Sequence, residues 1–305
     1  MRKLIVLGSL NMDMSIETDR IPMQGETMHG KDFLMNTGGK GGNQAVAAAK
    51  ANTLTYLIGK VGSDVLGEQV LKDLSQYGVH TDYVHTSKQE STGLAMIIRC
   101  NHDNRIVLHA GANYDITIDE VKDSLHSIAK SNDLFLTQLE NPYSVVKEAL
   151  SYAKGLGLTT ILNPAPAQKL EDEVYQTLDW IVVNESECEV LSGIYPDEEH
   201  HIQALQWFLE KGCNVIITLG EHGSIACTKH EQYRIPANKV ETLDTTGAGD
   251  TFIGAFCKCL CENQDITDAL QYASYAASLT VSRYGAQCAI PTHEETYEYM
   301  LKHTL

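Results

Sequence analysis

Residues 244–252 read Asp-Thr-Thr-Gly-Ala-Gly-Asp-Thr-Phe. The three small residues Gly247, Ala248 and Gly249 predict a tight turn. Apolar residues then recur every three to four positions, which predicts an amphipathic helix that begins at the turn. Backbone N–H groups at such a helix start lack intrahelical partners and can bind an anion such as a phosphoryl group.

Asp250 falls in the first turn of this predicted helix. The positive end of the helix dipole favours a charged carboxylate there, so we expect Asp250 to be ionised and able to accept a proton from an attacking hydroxyl. The alternative is an ordinary first-turn acid beside an ordinary turn, and a motif this short does not exclude it.

A second glycine-rich stretch, Gly-Gly-Lys-Gly-Gly-Asn-Gln at residues 38–44, runs into an alanine-rich helical segment. It predicts another helix N-terminus beside the site. The stretch does not match the P-loop pattern, because neither Ser nor Thr follows Lys40. A glycine hinge before a packed helix is the structural alternative.

Near the N-terminus, an apolar strand at residues 3–8 is followed by Asn11 and Asp13. Two residues spaced by two on an extended segment share a face, so they are able to hold adjacent hydroxyls of a polyol. A simple Asx turn explains the same pair equally well.

From residue 53 onward, strand and helix patterns alternate, which predicts βαβ units and a mostly parallel sheet. We therefore expect one α/β domain over residues 1–305, a three-layer sandwich with helices on both faces of the sheet, and a small β-sheet lid at about 14–36 and 92–109. The predicted strands are 54–58, 134–136, 158–162, 180–183 and 214–219, and the predicted helices are 64–77, 119–130, 143–154, 185–191 and 200–211.

Polar residues follow several of these strands, and the carboxyl ends of parallel strands meet at one edge of a sheet, where open α/β folds bind ligands. Asn184 and Glu187 also have the spacing of a helix capping box, which is a purely structural explanation for that pair. The residues are Gln138, Glu140, Asn163, Asn184, Glu187, Thr218 and Gly220.

Composition excludes several classes of partner. The formal charge is −17, from 23 Lys and Arg against 40 Asp and Glu. A nucleic acid or an anionic membrane is therefore not an expected partner. The eight scattered cysteines are expected to be core residues in a reducing cytoplasm, and the twelve histidines have no metal-ligand spacing.

In order and spacing, six segments resemble the ribokinase/phosphofructokinase-B family of carbohydrate kinases. The resemblance covers essentially the whole chain. The segments are 8–13 (GSLNMD), 38–44 (GGKGGNQ), 109–113 (HAGAN), 162–167 (LNPAPA), 184–187 (NESE) and 244–250 (DTTGAGD).

The resemblance implies transfer of the γ-phosphoryl group of ATP to the 5-hydroxyl of D-ribose, with Mg²⁺, an activating K⁺ and a homodimer formed through the lid. It implies that Asp250 is the catalytic base and that Gly247, Ala248 and Gly249 form the anion hole. Deoxyribose, another sugar or a nucleoside remains an alternative substrate, and a non-catalytic sugar sensor is an alternative of another class.

Further roles are implied position by position. The sugar site comprises Asn11, Met12, Asp13, Gly39, Lys40, Gly41, Gly42, Asn43, Glu140 and Asp250. The nucleotide site comprises Asn184, Thr218, Leu219, Gly220, Glu221, His222, Gly223, Gly249, Asp250 and Ser274. The K⁺ site, largely of backbone carbonyls, comprises Asp244, Thr246, Thr280, Arg283, Gly285 and Ala289. Gly42, Ser274 and Thr280 depart from the side chains usual at these positions.

Overall fold

The computed structural model describes residues 2–100 and 103–303. Its strands are β1 (Leu4–Leu7), β2 (Asn11–Glu17), β3 (Lys31–Gly38), β4 (Thr55–Gly62), β5 (His80–Ser87), β6 (Gly93–Cys100), β7 (Asp103–His109), β8 (Leu134–Thr137), β9 (Thr159–Leu162), β10 (Trp180–Asn184), β11 (Asn214–Thr218), β12 (Ser224–Cys227) and β13 (Gln232–Ile235). Its helices are α1 (Lys40–Lys50), α2 (Val65–Gln76), α3 (Ile118–Ile128), α4 (Tyr143–Gly155), α5 (Asp172–Tyr175), α6 (Glu185–Ser192), α7 (His201–Lys211), α8 (Ala248–Cys261), α9 (Ile266–Val281) and α10 (His293–His303).

The main sheet has nine strands in the order β13-β12-β11-β10-β9-β8-β1-β4-β5. Neighbouring strands are parallel except where β12 pairs with β11 and β13. From β1 the chain first adds β4 and β5 on one side and then β8 to β11 on the other. The carboxyl end of β1 is therefore the switch point at which an open α/β sheet binds its ligand.

Two apolar cores lie on opposite faces of this sheet, because alternate side chains of a strand point to opposite faces. Leu4 and Val6 belong to the core that includes residues of α1, α2, α8 and α9. Ile5 and Leu7 belong to the core that includes residues of α3, α4 and α7. All four are fully buried, and burial of each such side chain stabilises the fold by about 1.5–3 kcal/mol. The predicted three-layer arrangement is confirmed.

The predicted lid is a separate four-stranded sheet in the order β3-β2-β6-β7. Strands β2 and β6 are parallel, whereas β2–β3 and β6–β7 are antiparallel. Residues 101 and 102, within the predicted lid range 92–109, lie outside the described residues. On either side of them, Cys100 of β6 pairs with Asp103 of β7.

The helix predicted after the small-residue turn is α8, but it is not amphipathic. Every residue from Thr251 to Cys261 is buried, because α8 lies between α1 and α9. A Cβ on Gly254 would come within 2.5 Å of the Ala47 side chain, so this glycine permits the close approach of α8 to α1. The one cation on this stretch, Lys258, is paired with Glu262 at 2.7 Å.

The predictions omitted three strands of the main sheet, namely β5, β12 and β13. Strand β5 lies at one edge of the sheet and has the sequence HTDYVHTS, in which exposed and partly buried positions dominate. An edge strand with so little apolar character gives no strong strand signal.

Among the described residues, no helix is both long and apolar enough to cross a bilayer.

Candidate active site

A cleft of about 240 Å³ opens at the carboxyl edge of the main sheet. Its walls come from α1, the ends of β10 and β11, and the turn that begins α8. Three charged groups, Lys40, Glu187 and Asp250, line it together. The full lining is Lys40, Asn163, Val182, Val183, Asn184, Glu187, Thr218, Thr245, Gly247, Gly249, Asp250 and Ile253.

Both carboxylate oxygens of Asp250 accept hydrogen bonds from α1. Asn43 Nδ2 donates to Oδ2 and Gln44 Nε2 donates to Oδ1, each at 2.9 Å. Burial raises the pKa of Asp250; Lys40 and the two amide donors oppose this shift, and Glu140 adds to it. The expected ionising effect of the helix dipole is therefore outweighed by burial.

The turn before Asp250 presents unpaired backbone donors. Gly247 is the N-cap of α8 with φ +74°, a left-handed conformation that favours glycine. Within residues 2–100 and 103–303, the N–H groups of Gly247, Gly249 and Asp250 have no hydrogen-bond acceptor, whereas that of Ala248 donates to Thr245 O at 3.2 Å. The amides of Gly247, Gly249 and Asp250 are thus free to contact an anion. The resemblance implied Gly247, Ala248 and Gly249 instead.

The second glycine stretch brings α1 against the end of β1. Gly39 is the N-cap of α1 with φ +88°, and a Cβ there would lie 2.7 Å from Ser9 O. A Cβ on Gly41 would lie 2.4 Å from Gly8 Cα. Gly42 is different, because the nearest atom to its Cβ position is the side-chain atom Gln287 Nε2 at 3.1 Å. Gly39 and Gly41 are therefore required by close backbone contact, whereas Gly42 is not.

Lys40, at the start of α1, is buried among carboxylates. Burial lowers the pKa of its amine, but Asp250, Glu140 and Glu187 together raise it above its usual value. Lys40 is therefore a stable cation in the cleft. It lies beside the predicted nucleotide residues as well as beside the predicted sugar residues.

The predicted sugar residues Asn11 and Asp13 begin β2. The buried side chain of Asn113 donates to Asn11 Oδ1 at 2.8 Å and to Leu10 O at 3.1 Å, so the Asn11 amide presents its NH₂ group as the remaining donor. Met12, between them, is 1% exposed and packs in the core, so only its backbone is available to a ligand.

Asp13 is a carboxylate without a donor. In the described part of the chain no group donates a hydrogen bond to its side chain. Gly38 lies beside it, and a Cβ on Gly38 would lie only 2.1 Å from Asp13 Oδ2, so there is no room for a side chain at position 38. Burial, with the nearby charges of Glu140 and Asp250, raises its pKa to about 6. A partly buried acceptor that lacks donors suits a ligand that supplies hydroxyl groups.

Glu140 and Asn43 are two further residues of the predicted sugar site. Glu140 Oε2 accepts from the Ser9 hydroxyl and from the backbone N–H of Lys40 at 3.1 Å, which ties the end of β8 to α1. The Oδ1 atom of Asn43 is buried without a hydrogen-bond partner among the described residues. This acceptor and the Asp13 carboxylate both lack donors.

The predicted nucleotide residues do not all line one cleft. Asn184 caps α6 in the predicted capping box with Glu187, and both line the main cleft with Thr218. Leu219 and His222 line a neighbouring cleft instead. The remaining predicted residues lie near by: Gly220, Glu221 and Gly223 belong to the turn after β11, and Ser274 is buried on α9, where its hydroxyl accepts from Asn238 at 3.3 Å.

The predicted K⁺ residues occupy two loops joined by one carboxylate. Asp244 Oδ1 accepts from Thr246 N at 2.9 Å and Oδ2 accepts from Gly285 N at 3.0 Å. The side chain of Arg283 turns away to pair with Glu295 at 2.8 Å, so only its backbone is available to an ion.

Two further predicted K⁺ residues, Thr280 and Ala289, are buried near these loops. The Thr280 hydroxyl donates to Thr251 Oγ1 at 3.0 Å. No group of three or more His, Cys, Asp or Glu side chains in the described residues is arranged to hold a metal by itself.

Four buried amide side chains support the site. Gln138 and Asn163 were among the polar residues predicted at this edge of the sheet, whereas the sequence did not identify Gln44 and Asn113 as site residues. Gln44 and Asn113 lay inside quoted motifs, but their hydrogen-bond partners are 206 and 102 residues away in the chain. Only the tertiary structure reveals such pairs.

Known proteins resemble this chain along its whole length. A family model described as pfkB family carbohydrate kinase matches residues 1–293. A ribokinase from Haemophilus influenzae is 40% identical over 304 residues, covering 98% of this chain and 99% of the relative. A deoxyribokinase from Salmonella typhi is 35% identical over 301 residues, covering 97% and 98%. The solved structure of Arabidopsis thaliana ribokinase complexed with ribose and ATP has a TM-score of 0.89 and 29% identity, covering 98% of both chains.

Proposed function

Since the chain belongs to the pfkB family of carbohydrate kinases, we propose that it transfers the γ-phosphoryl group of ATP to the 5-hydroxyl of D-ribose. The observation that carries this proposal is the position of Asp250. Its Oδ2 accepts from Asn43, on the proposed sugar side, and its backbone N–H belongs to the set of free amides at the start of α8. A base between a hydroxyl site and an anion site is the arrangement that phosphoryl transfer needs.

In this mechanism Asp250 takes the proton of the sugar hydroxyl as its oxygen attacks the γ-phosphorus, and the bond to the ADP leaving group breaks. The free amides of Gly247, Gly249 and Asp250 would stabilise the charge on the transferring group, and Lys40 would add a full positive charge beside it. Closure of the lid would exclude water, which competes as a phosphoryl acceptor.

ATP would carry Mg²⁺ to the cleft on its phosphates. Glu187 fits such an ion, because it lines the cleft and, among the residues that the structure describes, its Oε1 accepts a hydrogen bond only from Asn184. The ion would neutralise charge on the phosphates.

K⁺ would be held by backbone carbonyls of the two loops that Asp244 joins, and its loss is expected to loosen the turn before Asp250.

Ribose is proposed over 2-deoxyribose because the sugar side has several groups that require hydroxyl partners. Asn11 presents a donor, and Asp13 and Asn43 Oδ1 present acceptors without donors among the described residues. A missing substrate hydroxyl strands one such buried group, at a cost of about 1–3 kcal/mol.

A homodimer through the lid is proposed because the lid exposes apolar side chains on the face that carries Asp13. Leu34 and Ile106 lie in one cross-strand row with Ser15 and are 48% and 55% exposed. Exposed apolar area of this kind marks an interaction surface.

A cytoplasmic location is proposed because all eight cysteines are free thiols.

Coupled measurement of ADP release tests the substrate and ion assignments together. We expect kcat/KM for D-ribose to exceed that for 2-deoxyribose by roughly 5- to 150-fold, the equivalent of one stranded group. We also expect K⁺ to increase the rate at fixed ionic strength. Equal constants for the two sugars would contradict the ribose assignment, and an equal rate in Na⁺ would contradict the K⁺ assignment.

A further inference from the structure

The side chain of Gln44 is completely buried behind the proposed catalytic base. Its Nε2 donates to Asp250 Oδ1 at 2.9 Å and to Asn163 Oδ1 at 3.1 Å. Its Oε1 accepts from Gln138 Nε2 at 2.7 Å. Both amide hydrogens and the amide oxygen are therefore used.

This pattern fixes the orientation of the Gln44 amide. If the amide turned by 180°, its oxygen would face the carboxylate of Asp250 and the oxygen of Asn163, and its NH₂ group would face the NH₂ group of Gln138. Each of these three contacts would be lost in a buried environment, where an unpaired polar group costs about 1–3 kcal/mol. Asn163 thus keeps the donor of Gln44 directed at Asp250, since its own amide is fixed by the hydrogen bond from Nδ2 to Val182 O at 3.1 Å.

The two oxygens of Asp250 consequently have different surroundings. Oδ1 contacts Gln44, which has no solvent exposure. Oδ2 contacts Asn43, whose own Oδ1 atom has no partner among the described residues and which belongs to the proposed sugar side. Only Oδ2 therefore adjoins a group that still needs a ligand.

We propose that Gln44 is a positioning residue that holds Asp250 by Oδ1, so that Oδ2 is the atom that accepts the proton of the sugar hydroxyl. The inference rests on the proposed function. The proton passes from the hydroxyl to Oδ2, the hydroxyl oxygen forms the new bond to phosphorus, and the electrons of the broken bond stay with ADP. Gln44 itself transfers no proton.

Gln44 also favours the charged form of the base, since a hydrogen bond to a carboxylate stabilises it. The other charged groups that act on Asp250 are the Lys40 ammonium, which lowers its pKa, and the carboxylates of Asp13, Glu140 and Glu187, which oppose its ionisation. Loss of the Gln44 donor removes one of the few groups that favour ionisation. The pKa of Asp250 should then rise.

The test is Gln44→Met, which keeps the side-chain length and removes every hydrogen bond. We expect kcat to fall about 10- to 100-fold, as for a small misplacement of a reacting group, with KM for sugar and ATP within about threefold. We also expect the acidic limb of the kcat–pH profile to move to higher pH. The matched control is Gln69→Met, because Gln69 also donates to an aspartate, Asp73, but is exposed on α2. It should change neither quantity.

A second variant and a second measurement keep the proposal testable if Gln44→Met folds poorly or if ribose is not the substrate. Gln44→Leu removes the same hydrogen bonds with a side chain of a different shape, so the acidic limb should again move to higher pH. In the ligand-free protein, carbon-13 NMR of labelled Asp250 should show a higher pKa in both variants than in the parent.

Other results separate the two proposals. A kcat within threefold of the parent, or an unchanged pKa of Asp250, overturns the role of Gln44. A purely structural role would raise KM or lower the unfolding temperature and leave the acidic limb in place, which also overturns it. Absence of ADP release by the parent with every sugar contradicts the proposed function instead, and the NMR comparison then still decides the role of Gln44.

Discussion

Asp250 is the residue on which the proposed chemistry depends, and its substitution by asparagine tests it directly. Asp250→Asn keeps the size of the side chain but has no carboxylate to accept a proton. General-base assistance contributes about 10²–10⁴ in rate, so we expect kcat to fall at least about a hundredfold. ADP release at saturating sugar measures this, with the unfolding temperature as the control for folding. A kcat within tenfold of the parent would remove Asp250 from the base role.

Asp13 shows that a residue suited to bind sugar makes the ligand-free protein less stable. Its pKa is about 6 in the folded protein and 3.8 is the ordinary value, so the folded state holds the proton more tightly. The contribution of Asp13 to the stability of the folded protein is therefore most favourable below about pH 4 and is lost as the pH rises through 6. Above pH 6, the charged form of Asp13 lowers the free energy of unfolding by on the order of 2 kcal/mol, allowing for partial exposure of the side chain.

Asp13→Asn removes this deficit. We expect the variant to unfold at a higher temperature than the parent at pH 7, to lose the advantage at about pH 4, and to bind ribose more weakly because a hydroxyl acceptor is replaced. Thermal unfolding at the two pH values and the KM for ribose measure these effects. A variant less stable than the parent at pH 7 would contradict the idea that Asp13 is an uncompensated buried charge.

At the scale of elements, the start of α1 depends on Gly39. Its backbone has φ +88°, and a Cβ would lie 2.7 Å from Ser9 O and 3.0 Å from Asn11 N. Gly78 is a matched control, with φ +85° and no atom within 4 Å of its Cβ position. Gly78→Ala should therefore cost only the strain of the left-handed conformation, about 1–2 kcal/mol.

Gly39→Ala adds a clash with the backbone of the segment that leads into β2. We expect it to destabilise the protein more than Gly78→Ala and to raise KM for ribose, which Gly78→Ala should leave unchanged. Urea unfolding and initial rates measure the two effects. Equal losses of stability and equal KM values would show that conformational strain alone explains the glycine at position 39.

Sequence patterns predicted elements where burial is strongly periodic or where glycine marks a turn. The five helices predicted with bounds agree with α2, α3, α4, α6 and α7 to within about two residues, whereas no bounds were predicted for α5, α9 and α10. The motifs placed Asp250, Asn11 and Asp13 near the carboxyl edge of the main sheet. The edge strand β5 was missed because its residues are polar. The extent of burial around α8 was missed because periodicity does not show that α1 and α9 pack on opposite sides of it.

The candidate site was predicted less completely than the fold. Gly, Asp and Lys in the motifs are local signals, but the pKa of Asp250 depends on burial and on Lys40, Asn43 and Gln44, all distant in the chain. Likewise, the donor that Asn11 presents depends on Asn113. Long-range amide pairs of this kind have no periodicity that a sequence reveals.

At the scale of the whole molecule, the lid is the surface on which association is proposed. Ile106→Lys places a charge among its exposed apolar residues, so we expect it to shift a dimer towards monomer and to raise KM for ribose. Ile202→Lys, on α7, is the matched control, since Ile202 is 47% exposed and lies away from the lid. Analytical ultracentrifugation measures the shift. An unchanged mass distribution in Ile106→Lys would exclude this face of the lid.

The lid is joined to the main sheet by two very short connections. Three residues separate β1 from β2, and Gly39 alone separates β3 from α1. Asn11 and Asp13 therefore belong to the lid sheet, whereas Asp250 belongs to the layers of the main sheet. In the proposed lid movement, Asn11 and Asp13 would separate from the base while Asn43 and Glu140 stay beside it, so we expect the dissociation of the phosphorylated sugar to be coupled to the opening of the lid.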